Sequence, residues 1–541
     1  MLASAELSLQ TFSRPETRFG SPLMLPWLII MSIQLQTIGN RIMKKVIWAL
    51  SSFSTLMLSG ASFAAQLEGD ILIRNVNVIV TQTMSINPNM DVLVSGERIL
   101  KIGRELEAKA KQTVDGHNRY LTPGLIDSHT HLSGVPGMTF QQMQNNGEVV
   151  AQAMQQIPRS YLYHGFTTVI DLHADAEIIG QWNAQDSRPE AHFCGAAPII
   201  DGYPMSFMPK SIRYQFTPYF LVEDDFLVEE DSAYENIDTS AHTPKAVVAR
   251  MRERGAVCVK THYETGFSGK ENLPVPSVEL IHKLVSEAHA NGLKVVLHAN
   301  SQAAQDFGAR TGVDAFVHGM WHWNGKQQDK LSNTIKASIK RSISNKISLQ
   351  PTFQVLYGER DLHNPDYLTQ AELSKVLPKA LIDWYASEEG QSFRTRMSSL
   401  PFVKTHLTDQ GWEAIDGAGI KRLELYFSEW LEESGELLFG SDTPSDLTFA
   451  NPPGLNGRIE MKHWQQAGVT PAQFLSAATI SNATFFNLID DIGSVDEGKR
   501  ADLLLLSENP LNNIEAFDHI EKVFIKGKMI ERESLNALSL D

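Results

Sequence analysis

Short apolar runs that end in metal-binding side chains restrict the fold of this chain more than any other feature. The runs are residues 123–131, 256–260, 294–298, 314–318 and 437–442, and they end in His129 and His131, Lys260, His298, His318 and Asp442. Each run has the length and apolar content of a buried parallel strand. A helical pattern from Ser277 to Asn291 separates the second run from the third. Repeated about eight times, this alternation gives an α/β fold, the (β/α)8 or TIM barrel.

The first run carries two histidines one residue apart. Alternation along a strand places Asp127, His129 and His131 on one face, so that the two imidazoles converge. Imidazole is the commonest metal ligand among neutral side chains. In a closed parallel barrel the carboxyl ends of all strands meet on one face. The sequence therefore predicts one metal site built by residues that lie far apart along the chain.

In this order and at these strand ends, the residues resemble those of the amidohydrolase superfamily. The resemblance extends over roughly residues 66 to 530, and it is strongest to the prolidase-like and imidazolonepropionase-like branches. It implies a barrel that carries one or two divalent metal ions. It also implies roles for six residues: first-strand ligands His129 and His131, a fourth-strand lysine Lys260, fifth- and sixth-strand ligands His298 and His318, and an eighth-strand carboxylate Asp442.

The resemblance further implies how the ions are shared and what they do. His129, His131 and Asp442 would hold one ion, and His298 and His318 would hold a second. In the two-metal branches a lysine carboxylated by carbon dioxide bridges the ions, and Lys260 is its counterpart. We expect two Zn2+ per chain, although manganese, iron or nickel suits the same ligands. A metal-activated hydroxide would attack the carbonyl carbon, with Asp442 as the general base and then the general acid.

The same residues also have structural interpretations, which the sequence leaves open. Lys260 lies in an apolar run, where a lysine must be neutralised, modified or paired. It could instead end its strand in solvent or pair with Glu264. His298 and His318 could be core histidines with satisfied hydrogen bonds, and Asp442 could cap a helix that follows it.

The substrate is less well determined than the metal site. Candidates for substrate contact are His262, which shares the face of Lys260 by alternation, and the neighbouring Tyr263 and Asn300. The prolidase-like branch has His-Ala-Tyr at the fifth strand, whereas this chain has His298-Ala299-Asn300. Deaminase branches use one metal and usually a glutamate on or after the fifth strand as a proton shuttle, and the sequence shows none close to His298. Hydrolysis of an amide, dipeptide or cyclic amide is therefore the leading expectation.

Two other functions stay open. One is a mononuclear deaminase of the same superfamily, and the other is a barrel that binds a metal and a ligand without catalysis. The net charge of -16, from 47 basic and 63 acidic residues, argues against a nucleic-acid partner. A small-molecule substrate is expected, and a homo-oligomer is compatible with the sequence because many soluble enzymes form one.

Strand patterns at both ends of the chain predict a second domain. Residues 66–121 and 488–541 should pair into a small composite β-sandwich, because neither end can bury its apolar face alone. The barrel would then span residues 122–487. Insertions at about 201–243 and 353–436 lengthen loops on the expected catalytic face.

The amino-terminal region predicts export. Residues 43–64 have the basic start, apolar stretch and small residues of a signal peptide, with cleavage near Ala64. Residues 1–42 would then be a non-native upstream extension, and the mature protein would be periplasmic or secreted. The apolar stretch of this signal peptide, Val46 to Leu58, and a second one from Pro22 to Met31 are both shorter than the roughly 20 residues of a membrane span. The two cysteines, Cys194 and Cys258, fall on runs that could be neighbouring strands, where a single disulfide is conceivable.

Overall fold

The computed structural model describes residues 67–208, 213–214, 217–223, 237–267, 270–323 and 330–539. The predicted upstream extension (1–42) and signal peptide (43–64) lie outside the described residues, as does part of the insertion at 201–243. None of the helices in the described ranges has the length and hydropathy needed to cross a bilayer.

Strands from the two ends of the chain form one sheet. They are β1 (Leu67–Val80), β2 (Ser85–Ser95), β3 (Arg98–Gly103), β4 (Ala108–Asp115), β5 (Tyr120–Pro123), and, from the far end, β15 (Leu503–Leu506), β16 (Ile520–Ile525) and β17 (Lys528–Glu531). Their hydrogen-bonded order is β17-β16-β15-β5-β1-β2-β3, and β4 pairs with β1. The sequence predicted a composite β-sandwich from these two ends. Strand β1, with 14 residues, pairs with β2 on one edge and with β4 and β5 on the other, so that strands from both ends belong to one hydrogen-bonded sheet.

A second sheet contains seven parallel strands. They are β6 (Leu125–Thr130), β7 (Phe166–Asp171), β8 (Glu190–Ala196), β9 (Cys258–His262), β12 (Lys294–His298), β13 (Ala315–Val317) and β14 (Ser348–Gln350). They are hydrogen-bonded in chain order from β6 to β14. Almost every residue in them is buried, as expected for strands covered on both faces. A separate two-stranded hairpin consists of β10 (Gly266–Phe267) and β11 (Lys270–Glu271).

The predicted eighth run bonds to both edges of the parallel sheet. On one side the amide of Leu438 donates to the carbonyl of Leu349 over 2.9 Å. On the other side the amide of Asp442 donates to the carbonyl of His129 over 2.8 Å, and that of His131 donates to Thr443 over 2.7 Å. Seven of the eight predicted strands therefore form a parallel sheet, and the eighth run lies between its first and last strands.

Helices follow most strands of this sheet. They are α1 (Phe140–Asn145), α2 (Gly147–Tyr163), α3 (Ala176–Asn183), α4 (Pro244–Glu253), α5 (Val278–Ala290), α6 (Gln302–Thr311), α7 (Asn333–Ser344), α8 (Phe353–Asp361), α9 (Leu373–Val376), α10 (Lys379–Ala386), α11 (Ser392–Ser398), α12 (Pro401–Asp409), α13 (Gly417–Glu432), α14 (Leu455–Gln466), α15 (Pro471–Ser476) and α16 (Asn482–Phe485). The helix predicted between Ser277 and Asn291 is confirmed, because the Ser277 hydroxyl caps α5 and Asn291 ends it. Helices α8 to α13 occupy the predicted insertion at 353–436.

The side of the parallel sheet opposite its helices holds a separate apolar core, which includes both cysteines. Cys194 in β8 and Cys258 in β9 are paired positions of adjacent strands, and both are fully buried. Their Cα atoms are 4.5 Å apart, and the two residues form a disulfide. The sequence did not decide whether this bridge forms. The structure contains it, and Cys258 lies two residues before Lys260 on the same strand.

We expect alkylation of the unfolded protein to label neither cysteine unless a reductant is added, and to label both after reduction. Intact-mass measurement reads out the number of labels. Reduction should lower the free energy of unfolding by up to about 4 kcal/mol, since the bridge closes a 64-residue loop. The Cys258→Ser variant, with one thiol in either condition, is the control. Two labels without reductant would contradict the disulfide.

Candidate metal centre

The predicted metal ligands lie together at the carboxyl ends of the parallel strands. His129 is near the end of β6, Lys260 is in β9, His298 ends β12 and His318 follows β13 directly. Backbone hydrogen bonds between the eighth run and β6 bring Asp442 beside His129. All five side chains are buried, and each has 7% or less of its surface exposed. Parallel strands produce this convergence because their carboxyl ends share one face.

The Asp442 carboxylate is the centre of the group. One of its oxygens is 3.0 Å from Nε2 of His129 and 3.1 Å from Nε2 of His131. Its other oxygen is 3.8 Å from Nδ1 of His318. Ligand atoms of His129, His318 and Asp442 all lie within 4.8 Å of one another. The resemblance assigned His129 and His318 to different ions, whereas the structure places them around one carboxylate.

The protonation of His129, His318 and Asp442 suits metal binding. Burial lowers the pKa of His129 to about 4 and that of His318 well below its usual value, so both imidazoles are neutral near pH 7. Burial alone would raise the pKa of Asp442, but the interactions with His129 and the neighbouring histidines hold it well below its usual range. Nδ1 of His129 is buried and has no hydrogen-bond partner among the described residues. Neutral imidazoles beside an ionised carboxylate are a donor set that fits a divalent cation.

Lys260 is buried next to this group. Its side chain is 3% exposed, which excludes a strand end in solvent. Burial lowers the pKa of its amine to about 7, against the attraction of Asp442. The salt bridges among the described residues include none with Lys260. The alternative pairing with Glu264 is therefore not seen. Because its pKa is about 7, the Lys260 amine readily loses its charge near neutral pH.

Glu264 is a site residue that sequence reasoning missed. Its carboxylate lies 3.1 Å from Nε2 of His298 and accepts a hydrogen bond from the side-chain amide of Asn300 over 2.8 Å. Glu264 is not a neighbour of His298 along the chain, and it approaches His298 from the adjacent strand β9. His298 in β12 pairs with His262 in β9, so Glu264, two residues beyond β9, comes to lie beside it.

The substrate candidates separate into two groups. His262 and Asn300 are buried on the side of the metal ligands, and the ring of His262 is 5.9 Å from that of His298. The ring of Tyr263 instead packs against Phe307 of α6 at 4.8 Å, so the structure does not bring it to the site. Tyr203, which belongs to the predicted insertion at 201–243, does reach the site, with its ring 4.9 Å from that of His298.

Asp127 does not share a face with the two histidines that follow it. The pairing of β6 with β7 shifts register between Asp127 and Thr130, and this interrupts the alternation assumed from the sequence. The Asp127 carboxylate accepts hydrogen bonds from the amide of Ser441 over 2.9 Å and from the amide of His129 over 3.2 Å. Burial raises its pKa to about 7, against these hydrogen bonds. Asp127 thus fastens the eighth run to β6 beside the metal ligands.

Asp171, at the end of β7, lies beside the ring nitrogen of His131 that does not face Asp442. One of its oxygens is 3.8 Å from Nδ1 of His131. It accepts hydrogen bonds from the amide of Leu132 over 2.6 Å and from the amide of His173 over 2.7 Å. The ring of His173 lies beside the hydroxyl of Thr217, with Nε2 3.1 Å from that oxygen.

Comparison with curated proteins finds short matching segments. The chain is 40% identical over 67 residues to adenine deaminase of Deinococcus radiodurans, a match covering 12% of each chain. It is 32% identical over 117 residues to adenine deaminase of Staphylothermus marinus, covering 20% of this chain and 17% of the relative. It is 31% identical over 139 residues to dihydroorotase of Streptococcus thermophilus, covering 25% and 30%. The matches thus span well under two thirds of these relatives.

Solved structures match over nearly their whole length and show the fold. A prolidase complexed with N-methylphosphonate-L-proline has a TM-score of 0.57 at 19% identity, covering 85% of this chain and 99% of that one. A. niger ochratoxinase has a TM-score of 0.58 at 18% identity, covering 86% and 96%. The model of the amidohydrolase family matches residues 120–318 and 429–530, which together exceed half of the sequence. The chain therefore belongs to the amidohydrolase family.

Proposed function

We propose that this protein is a metal-dependent hydrolase that cleaves a carbon–nitrogen bond in an amide, a dipeptide or a cyclic amide. The observation that carries the proposal is the buried Asp442 carboxylate with His129, His131 and His318 around it. Membership of the amidohydrolase family supports it, since members typically use divalent metal ions. The similar proteins include dihydroorotase and a Xaa-Pro dipeptidase.

The proposal includes a closed (β/α)8 barrel with a metal site at its mouth. Hydrogen bonds from the eighth run to Leu349 and to His129 support closure, because they join it to both β14 and β6. In this arrangement His129, His131 and Asp442 would hold one ion, and His298 and His318 would hold the second. Lys260 would bridge them as a carboxylate, which its buried and readily uncharged amine can form with carbon dioxide.

The residues of the chain have distinct tasks in this reaction. A bound divalent ion, zinc by expectation, would polarise the substrate carbonyl and lower the pKa of water. Asp442 stays ionised because of the histidines around it, so its carboxylate can accept a proton from water and pass it to the leaving nitrogen. His262 and Asn300 lie close enough to contact the substrate, and burial in the site keeps His262 neutral.

One observation favours a second candidate, a mononuclear deaminase. Glu264 lies 3.1 Å from His298, where its carboxylate could move protons, although deaminase branches usually have this glutamate on or after the fifth strand and Glu264 follows the fourth. In this alternative His298 would be a ligand of a single ion, and the ionised Glu264 would take a proton from the attacking water and pass it to the departing amine. Release of ammonia from aminopurines, without cleavage of amides, would identify it.

We also propose that the protein is exported and matures by cleavage near Ala64. The Cys194–Cys258 disulfide supports this, because disulfides persist in oxidising compartments such as the bacterial periplasm.

Asp442→Asn should reduce turnover by a factor of about 100 to 10,000, since the variant loses the proton acceptor. The metal content, measured by elemental analysis, should be close to two ions per chain in the wild type, and the variant should lose at most one ion because its other predicted ligands are unchanged. Turnover is measured on dipeptides, N-acyl amino acids, cyclic amides and aminopurines. Asp383→Asn, at an exposed carboxylate of α10, is the control. Full activity in metal-free protein would contradict the proposal.

Lys260→Ala should lose about 100-fold or more in turnover and one of the two ions, because the bridging carboxylate is removed. Acetate or propionate should restore part of both, since a short carboxylic acid fits the space left by the lysine side chain. Lys260→Met fills that space and should not respond to added acid. Wild-type turnover in Lys260→Ala would exclude the bridge.

The mature protein recovered from a bacterial periplasm should begin close to Gln66, as read by amino-terminal sequencing and intact mass. The reason is the small-residue pattern that ends at Ala64, which suits a signal peptidase. Replacing Ala64 by a bulky residue should slow or shift the cleavage. A mature chain that still contains residue 20 would refute export by this signal.

A further inference from the structure

The backbone near His318 has two residues in the left-handed region. His318 itself has a φ of 76°, and Thr352, directly after β14, has a φ of 50°. Left-handed backbone is disfavoured for a β-branched residue such as threonine, so the surrounding structure must hold it there. The hydroxyl of Thr352 lies 2.8 Å from Nδ1 of His318, and both side chains are buried.

Thr352 precedes helix α8 but does not cap it. Threonine at this position usually accepts a hydrogen bond from the first turn of the helix. Here the side chain of Thr352 makes no such bond, and its hydroxyl faces His318 instead. The first amides of α8 therefore need another acceptor, because no group within the helix can serve them.

Glu460 of α14 supplies that acceptor. Its carboxylate accepts hydrogen bonds from the amides of Phe353 over 3.0 Å and Gln354 over 2.7 Å, and from the indole N–H of Trp464 over 2.8 Å. Glu460 is fully buried, and its carboxylate is used in these three hydrogen bonds. A buried carboxylate at this helix start takes the place that the threonine hydroxyl would otherwise fill.

We propose that Glu460 and Thr352 are positioning residues for His318. Glu460 caps α8, which leaves the Thr352 hydroxyl free to bond Nδ1 of His318. That bond holds the imidazole ring and leaves Nε2 as the nitrogen that binds a metal ion. Nδ1 is also 3.8 Å from Asp442, which is too long for a competing hydrogen bond. The inference rests on the proposed function, in which His318 is a ligand.

The size of the effect follows from the general behaviour of such partners. A metal-binding histidine is oriented by the group that bonds its other nitrogen, and losing that group typically costs a factor of 10 to 100 in metal affinity. Glu460 acts on His318 only indirectly, because it binds the first amides of α8 and not the imidazole. We therefore expect a smaller loss from its substitution than from removal of the Thr352 hydroxyl.

The experiment measures binding of Co2+ to the full-length mature protein by competition with a chelator, together with the visible absorption of bound Co2+. Thr352→Val keeps the branched shape without the hydroxyl, and Thr352→Ser keeps the hydroxyl. We expect Thr352→Val to lose a factor of about 10 to 100 in affinity and to change the absorption spectrum. Thr352→Ser should stay close to wild type. The affinity of Glu460→Gln should lie between those of Thr352→Val and Thr352→Ser, because a glutamine side chain has one accepting oxygen instead of two.

Thr311→Val is the matched control, since it removes a buried threonine hydroxyl that bonds backbone carbonyls of α6 only. It should bind Co2+ as the wild type does. If Thr352→Val does not fold, Thr352→Ala is compared with Thr352→Ser in the same way. Wild-type affinity and spectrum in the variant lacking the hydroxyl would overturn the role of Thr352, and the same result in Glu460→Gln would overturn that of Glu460. Absence of Co2+ binding in the wild type would instead refute the proposed function.

Discussion

The charge on the buried Asp442 carboxylate is the constraint on which the rest of the site depends. An ionised carboxylate away from water is unfavourable unless charged or hydrogen-bonding groups surround it. Here His129 in β6 and His131 just after β6 contact the carboxylate. His318, just after β13, lies nearby. These groups come from strands far apart in the chain. The parallel sheet and the eighth run must therefore form together for the carboxylate to be satisfied.

Three buried carboxylates behind the site have a common purpose. Asp127, Asp171 and Glu460 each accept backbone amides next to a predicted ligand or to its support. Backbone amides are obligatory donors, so a carboxylate that accepts several of them fixes the local course of the chain. The ends of the strands are thereby held rigidly even though they lead into loops. Rigid strand ends are what a metal site needs, because ligand geometry tolerates little displacement.

The residues that the sequence revealed are those that obey local rules. The gathering of His298, His318 and Asp442 could be predicted, because apolar runs mark the elements of a parallel sheet and parallel strands end on one face. The shift of Asp127 could not, since a register change in β6 leaves no local pattern. Glu264 required knowledge of which strands are neighbours. Contacts such as Glu460 with Phe353, 107 residues apart, depend on packing that no local pattern specifies.

The sheet built from both ends of the chain has a consequence for biosynthesis. Strand β5 pairs with β15, whose residues leave the ribosome only after all strands of the parallel sheet have been made. The amino-terminal strands must then wait with one edge unpaired while the rest of the polypeptide emerges. Pairing over so long a sequence separation is slow, and unpaired edges attract other chains. Newly made molecules of this protein should therefore depend on chaperones until their carboxyl-terminal strands are available for pairing.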